Sequence, residues 1–140
     1  MSKTPIFVEP TWDDFPSFSR HEFACSHCGR AEMSDDFMWR LQDLRDSYGK
    51  PMRITSGYRC KDHPIESGKK SIGAHTTGRA VDVAVSRGEA YSLLRLAIRM
   101  GFTGIGVQQK GEGRFIHLDD ITAAEDFDGK KFPRPTIWSY

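Results

Sequence analysis

The sequence predicts an α+β domain on three observations. Two amphipathic helical runs lie far apart in the chain, short segments alternate apolar and polar residues, and Gly-rich turns separate them. The first helix opens at Ser34, a favoured N-cap, with Asp35 and Asp36 in the first turn, where negative charge suits the helix dipole. Phe37, Leu41, Leu44 and Tyr48 recur at helical spacing, and Gly49 with Pro51 ends the run. Residues 52–56 read as a short strand, and residues 60–74, rich in Gly, Lys and Ser, as a long loop. From Arg79 to Val85 the chain alternates, with Val81, Val83 and Val85 on one face and Ala80, Asp82 and Ala84 on the other. Ser86 and Glu89 have capping-box spacing and open a second helix, with Leu93, Leu94, Ala97 and Met100 as its buried face and Gly101 closing it. Residues 104–108 and 114–119 give two more strands around a Gly-rich turn at 111–113. Residues 1–20 read as an irregular lead-in and 21–140 as one domain. Trp39 is expected in the core or at its rim, and Trp138 and Tyr140 as a tail packed back on the domain.

Composition narrows the function. Lys plus Arg is 20 and Asp plus Glu is 19, so the net charge of +1 gives no electrostatic reason to expect nucleic acid or a membrane surface as partner. No apolar run approaches the roughly 20 residues that span a bilayer. The N-terminal segment lacks a basic stretch followed by an apolar one, so the expectation is synthesis in the cytoplasm without a secretory signal. Lys69-Lys70 and Lys130-Lys131 read as solvated loop charges that could attract anionic polymers.

The chemistry concentrates in two segments. In His75-Thr76-Thr77-Gly78-Arg79-Ala80-Val81-Asp82 a carboxylate sits inside a valine-rich strand, where a charge needs a metal or an Arg as partner. In Phe115-Ile116-His117-Leu118-Asp119 strand parity points His117 and Asp119 the same way. Two imidazoles and a carboxylate, His75, Asp82 and His117, with an open position for water, match catalytic zinc. A His packed on a loop and an Asp paired with Arg is the alternative.

Three ordered motifs resemble the zinc D-Ala-D-Ala carboxypeptidases of peptidase family M15, in particular the small phage and bacterial members. They are Ser56-Gly57-Tyr58-Arg59, His75-x-x-Gly78-x-Ala80-x-Asp82 and Phe115-x-His117-x-Asp119, and the likeness runs from about Phe23 to the Pro133–Trp138 segment. The resemblance implies a small antiparallel sheet flanked by helices, the fold shared with the hedgehog signalling domain. It implies Zn2+ held by His75, Asp82 and His117, with peptidoglycan stem peptides as substrate. Arg59 matches the family's substrate arginine, and a guanidinium can grip a carboxylate or steady an oxyanion.

Two positions depart from the family pattern. The family often carries an acidic residue three positions before the last zinc His, where this chain has Arg114, which cannot accept a proton. Asp119 and Glu112 are the candidate replacements for the general base, Asp119 alternatively as a partner that orients a ligand His. Gly73 stands where many relatives have Ser, with Ser71 the candidate substitute. The chain is thus expected to be a wall peptidase, either a carboxypeptidase or an endopeptidase, reaching the wall during lysis or on a phage-related particle. The alternative is a non-catalytic, zinc-stabilised wall-binding or structural module. Cys25, Cys28 and Cys60 leave three readings open: a second structural metal site completed by His27 or His63, a disulfide from Cys60 to one of the pair, or free thiols.

Overall fold

A computed structural model describes residues 7–140; residues 1–6, the start of the lead-in, lie outside the described residues. The elements are α1 (Arg20–Phe23), α2 (Asp35–Tyr48), β1 (Arg53–Ser56), α3 (Pro64–Ser67), β2 (Ala80–Ala84), α4 (Arg87–Arg99), β3 (Gly104–Gln108), β4 (Phe115–Asp119) and β5 (Thr136–Ser139). Single 3-10 turns at Trp12–Asp14 and Ala74–Thr77 complete the set. The fold is α+β, with one five-stranded sheet ordered β1-β2-β4-β3-β5.

The long helix α2 forms as its pattern requires. Ser34 caps it by accepting from the Phe37 N–H, and Gly49 ends it in the left-handed region at φ 73°. Its apolar stripe of Phe37, Leu41 and Leu44 is fully buried and packs beside α4, which buries Leu93 and Ala97. Leu94 and Met100 pack at the margin of the same core. The predicted capping box at Ser86 does not form: Ser86 makes no side-chain cap bond. Arg87 enters the helix at φ 53°, so the first turn departs from the extended-then-helical backbone that the box needs.

The sheet faces sort by register. Val81 pairs with Leu118 and Leu118 with Ile105, while Ile54, Val83, Ile116 and Val107 form the next apolar row. Paired residues share a face, so these rows make the core side against α2 and α4. The alternate rows carry the polar residues. Ser56, Asp82, His117, Gly106 and Trp138 lie in one row across all five strands, and Ala80, Asp119, Gly104 and Thr136 in the next. A bulge at Thr55 shifts the β1 register so that Ser56 meets Asp82.

Three expectations need correction. The strand β5 was not predicted, and it pairs parallel to β3, so the sheet is mixed rather than wholly antiparallel. Four residues directly after Pro133 and Pro135 are too few for alternation to stand out, and only the β3 ladder makes them a strand. Residues 60–74 are not all loop: His63 accepts from the Ile65 N–H and Pro64 opens the one-turn helix α3. Finally, the lead-in is part of the core, since Phe15 and Phe18 are buried and Trp12 stacks on Phe23 at 5.3 Å.

Candidate metal centre and its cleft

His75 arrives on the Ala74–Thr77 turn, Asp82 at mid-β2 and His117 at mid-β4, directly opposite Asp82. All three are buried. His75 Nε2 lies 3.2 Å from Asp82 Oδ1, His117 Nδ1 lies 3.2 Å from the same oxygen, and the two ring nitrogens are 3.3 Å apart. The edge of a tetrahedron with metal–N and metal–O bonds near 2.0–2.1 Å is about 3.3 Å. The three donor atoms therefore already stand at the spacing of a zinc ligand triangle.

Outer hydrogen bonds orient both imidazoles. His75 Nδ1 donates to the Gly57 carbonyl at 2.8 Å, which leaves Nε2 as the lone-pair atom facing Asp82. His117 is held the other way round. Its Nε2 donates to Asp119 Oδ2 at 2.7 Å, and Nδ1 faces the triangle. Arg134 then grips Asp119 with two bonds, Nε to Oδ1 at 3.0 Å and Nη2 to Oδ2 at 2.9 Å. These partners set the charges of the metal-free site. Burial drives the His75 pKa down, so it stays neutral as a ligand must. Burial opposes the charge on Asp82, but the adjoining His117 and His75 rings outweigh it and hold the carboxyl well below its usual range. Asp119 is also lowered: burial works against its charge, and bonds from His117 and Arg134 win.

The centre forms the floor of a cleft of about 350 Å³ lined by Arg59, Ile65, Lys69, Ala74, Trp138 and Tyr140 along with the three candidate ligands. Arg59 donates from Nε to Ser56 Oγ at 3.1 Å and reaches Asp82 at 3.5 Å and Glu66 at 3.4 Å. The other sequence candidates are placed elsewhere. Asp119 sits behind His117, on the ring nitrogen that faces away from the triangle, with both oxygens occupied. It holds the His117 ring in place; it does not reach the open side. Glu112 is exposed in the Gly111–Gly113 turn and lines a groove with Ser86, Arg87 and Arg114, apart from the cleft. Ser71 is exposed in a neighbouring depression with Lys61, Lys70 and Phe127.

Several cleft residues escaped the sequence reading. Trp138 and Tyr140 do pack back on the domain, and in doing so they wall the site; the Trp138 ring lies 5.0 Å from His117. Lys69, read as a solvated charge, pairs with buried Glu66 at 3.0 Å and lines the cleft. Arg134 carried no motif signal, because its role depends on β5 folding beside β3. One signal was available: Gly104 and Gly106, two apart in a strand, remove side chains from one face. A Cβ at Gly104 meets Asp119 Oδ1 at 2.1 Å, and one at Gly106 meets Trp138 Nε1 at 2.6 Å. The glycines are the space into which the Asp119 carboxylate and the aromatic wall fit. Gly104→Ala is expected to cost about 3 kcal/mol in urea denaturation, because Asp119 is pinned by His117, Arg134 and the Ile121 N–H and cannot retreat. Wild-type stability in this variant would show that the carboxylate has room to move.

Among known families, the one described as Peptidase M15 matches residues 16–119. The chain belongs to the peptidase M15 family. No curated protein matches it. Membership makes it a peptidase, a hydrolase of peptide bonds, and the matched span contains all three candidate ligands and Arg59. It ends at Asp119, so the Trp138 and Tyr140 wall of this M15 peptidase's cleft, and Arg134 behind it, lie outside the match. No helix among the described residues is long and apolar enough to cross a membrane.

Proposed function

We propose that this M15 peptidase uses zinc to hydrolyse a peptide bond in peptidoglycan stem peptides, as a D-Ala-D-Ala carboxypeptidase or a wall-lytic endopeptidase. One observation carries the reading: the His75, Asp82 and His117 donor atoms lie 3.2–3.3 Å apart on the floor of a cleft flanked by Arg59 and Lys69. Zinc bound there supplies Lewis acidity toward a carbonyl oxygen and toward water. The protein's own groups do the rest. Asp119 and Gly57 fix the two imidazole tautomers, so no ligand has to reorient. Arg59, anchored on Ser56, presents its guanidinium to a substrate carboxylate or to charge developing on the scissile carbonyl. Lys69 adds a second positive charge on the same side. Trp138 and Tyr140 give an apolar wall for a small D-residue, and the Tyr140 phenol, its pKa raised by burial, stays protonated as a hydrogen-bond donor. Delivery to the wall, during lysis or on a phage-related particle, belongs to the same proposal.

One feature favours a second reading, a non-catalytic zinc-stabilised module that binds cell wall or serves a phage-related particle. Asp82 is the only carboxylate among the cleft-lining residues, and as a ligand it cannot also take a proton. The test is mass spectrometry of fragments released from purified peptidoglycan by the zinc-loaded protein, with His75→Ala as control. Release of D-alanine or a defined stem-peptide fragment, absent in the control, is the expected result. Co-sedimentation with peptidoglycan without release would select the module, and the absence of both release and co-sedimentation would remove both readings.

A further inference from the structure

A second cluster lies away from the cleft. Cys25 and Cys60 are buried and Cys28 is exposed, and the three sulfurs lie within 4.8 Å of one another. Cys25 Sγ and Cys60 Sγ are 3.7 Å apart. The edge of a tetrahedron with zinc–sulfur bonds near 2.3 Å is about 3.8 Å.

The backbone around the cluster is shaped for thiolates. The segment Cys25-Ser26-His27-Cys28 turns back on itself: the Gly29 N–H donates to the Cys25 carbonyl at 2.8 Å, and Gly29 sits at φ 77°. The Cys60 N–H donates to Cys25 Sγ at 3.4 Å across the two segments. Such a donor stabilises the Cys25 sulfur as an anion, the form that binds metal. The surroundings fix both strands of the site. Cys25 N–H bonds the Arg30 carbonyl at 2.7 Å, and Tyr58 N–H bonds the Phe23 carbonyl at 2.9 Å, just before Cys60.

The geometry points to a structural zinc site held by the thiolates of Cys25, Cys28 and Cys60, separate from the peptidase centre. Among the described residues no imidazole or carboxylate stands within 4.8 Å of all three sulfurs, so the fourth position is taken by solvent or by a rotated side chain. His63 is on hand, its Nε2 3.0 Å from Ser26 Oγ in the same turn. The metal clamps the N-terminal segment to the chain that leaves Arg59, two parts of the sequence 35 residues apart. No oxidation step is involved: each thiol releases its proton on binding.

The test uses the full chain, purified in reductant, with cobalt as the probe. His75→Ala/His117→Ala is expected to keep about one metal equivalent per chain and to show the intense thiolate-to-cobalt charge-transfer band. Exposed Cys28 is the ligand least needed for packing. Cys28→Ser is expected to weaken cobalt binding at this site roughly tenfold or more, and Cys28→His, which keeps a donor, to retain it. A double-histidine variant that is folded by circular dichroism but shows no thiolate band overturns the proposal. So does equal cobalt affinity in that background with and without Cys28→Ser. Because the peptidase centre is disabled in this background, failure here does not touch the reading of the cleft.

Discussion

Asp82→Asn is expected to abolish metal retention at the cleft and to lower peptide hydrolysis roughly a thousandfold or more, with little loss of stability. Asn has nearly the same shape, so the row of Ser56, Asp82, His117 and Gly106 is kept. What disappears is the only negative charge in the ligand triangle. Its oxygen is the atom that both His75 Nε2 and His117 Nδ1 approach at 3.2 Å. Arg59 keeps Glu66 and Ser56 as partners, so no buried cation is orphaned. Metal content by mass spectrometry, turnover on stem peptides and a urea curve separate the effects. A variant that keeps its zinc and its turnover would remove Asp82 from the ligand set. If the variant lost stability by several kcal/mol, the carboxylate would be acting chiefly in structure.

Arg134→Ala should be strongly destabilising at the back of the site. The Arg134 side chain is 5% exposed and the Asp119 side chain 0%, and they share two hydrogen bonds. Removing the guanidinium leaves a buried carboxylate with His117 as its one remaining side-chain partner, at an expected cost of about 3 kcal/mol. For a chain of this length that is a drop of roughly 10 °C in Tm. The pH dependence follows from the sign of the Asp119 shift. Its folded pKa is lowered, so the pair's contribution is present above the unfolded value of about 3.9 and is lost as pH falls through the folded one. The gap between wild type and Arg134→Ala should therefore be widest near neutrality and close below about pH 4. Arg134→Lys should recover only part of it, since an ammonium cannot make both bonds. A stability gap independent of pH would mean that Arg134 acts by packing on Trp138, over whose ring it lies at 5.2 Å.

The centre was legible because its residues obey local rules. Strand parity alone placed Asp82 opposite the valines and put His117 and Asp119 on one face, and the register puts them there. The α2 cap and stripe, and the Gly-rich turn between β3 and β4, were equally local and came out as read. The failures share a physical cause. Whether Asp119 faces the open side or the back of His117 depends on which ring nitrogen meets the triangle, and Arg134 on β5's approach settles that. Glu112 has the right chemistry, but its exposed turn follows the end of β3 and lines a different groove from the cleft.

The sequence by itself determined the α+β class, the main helices and the strand faces that carry Asp82, His117 and Asp119, because each is written in spacing within a few residues of chain, whereas the candidate ligand triad and the Ser56–Arg59 motif were read from a family resemblance. Tertiary structure alone decided the tautomers of both histidines, the Arg134–Asp119 support, the aromatic wall of Trp138 and Tyr140, and the meeting of Cys25 with Cys60. Nearly all of these join segments distant in sequence, and even the His117–Asp119 bond, two residues apart, depends on Arg134 reaching Asp119 from the approach to β5. Their energies arise only when the sheet register and burial bring charges and rings into contact, and no local pattern encodes that distance.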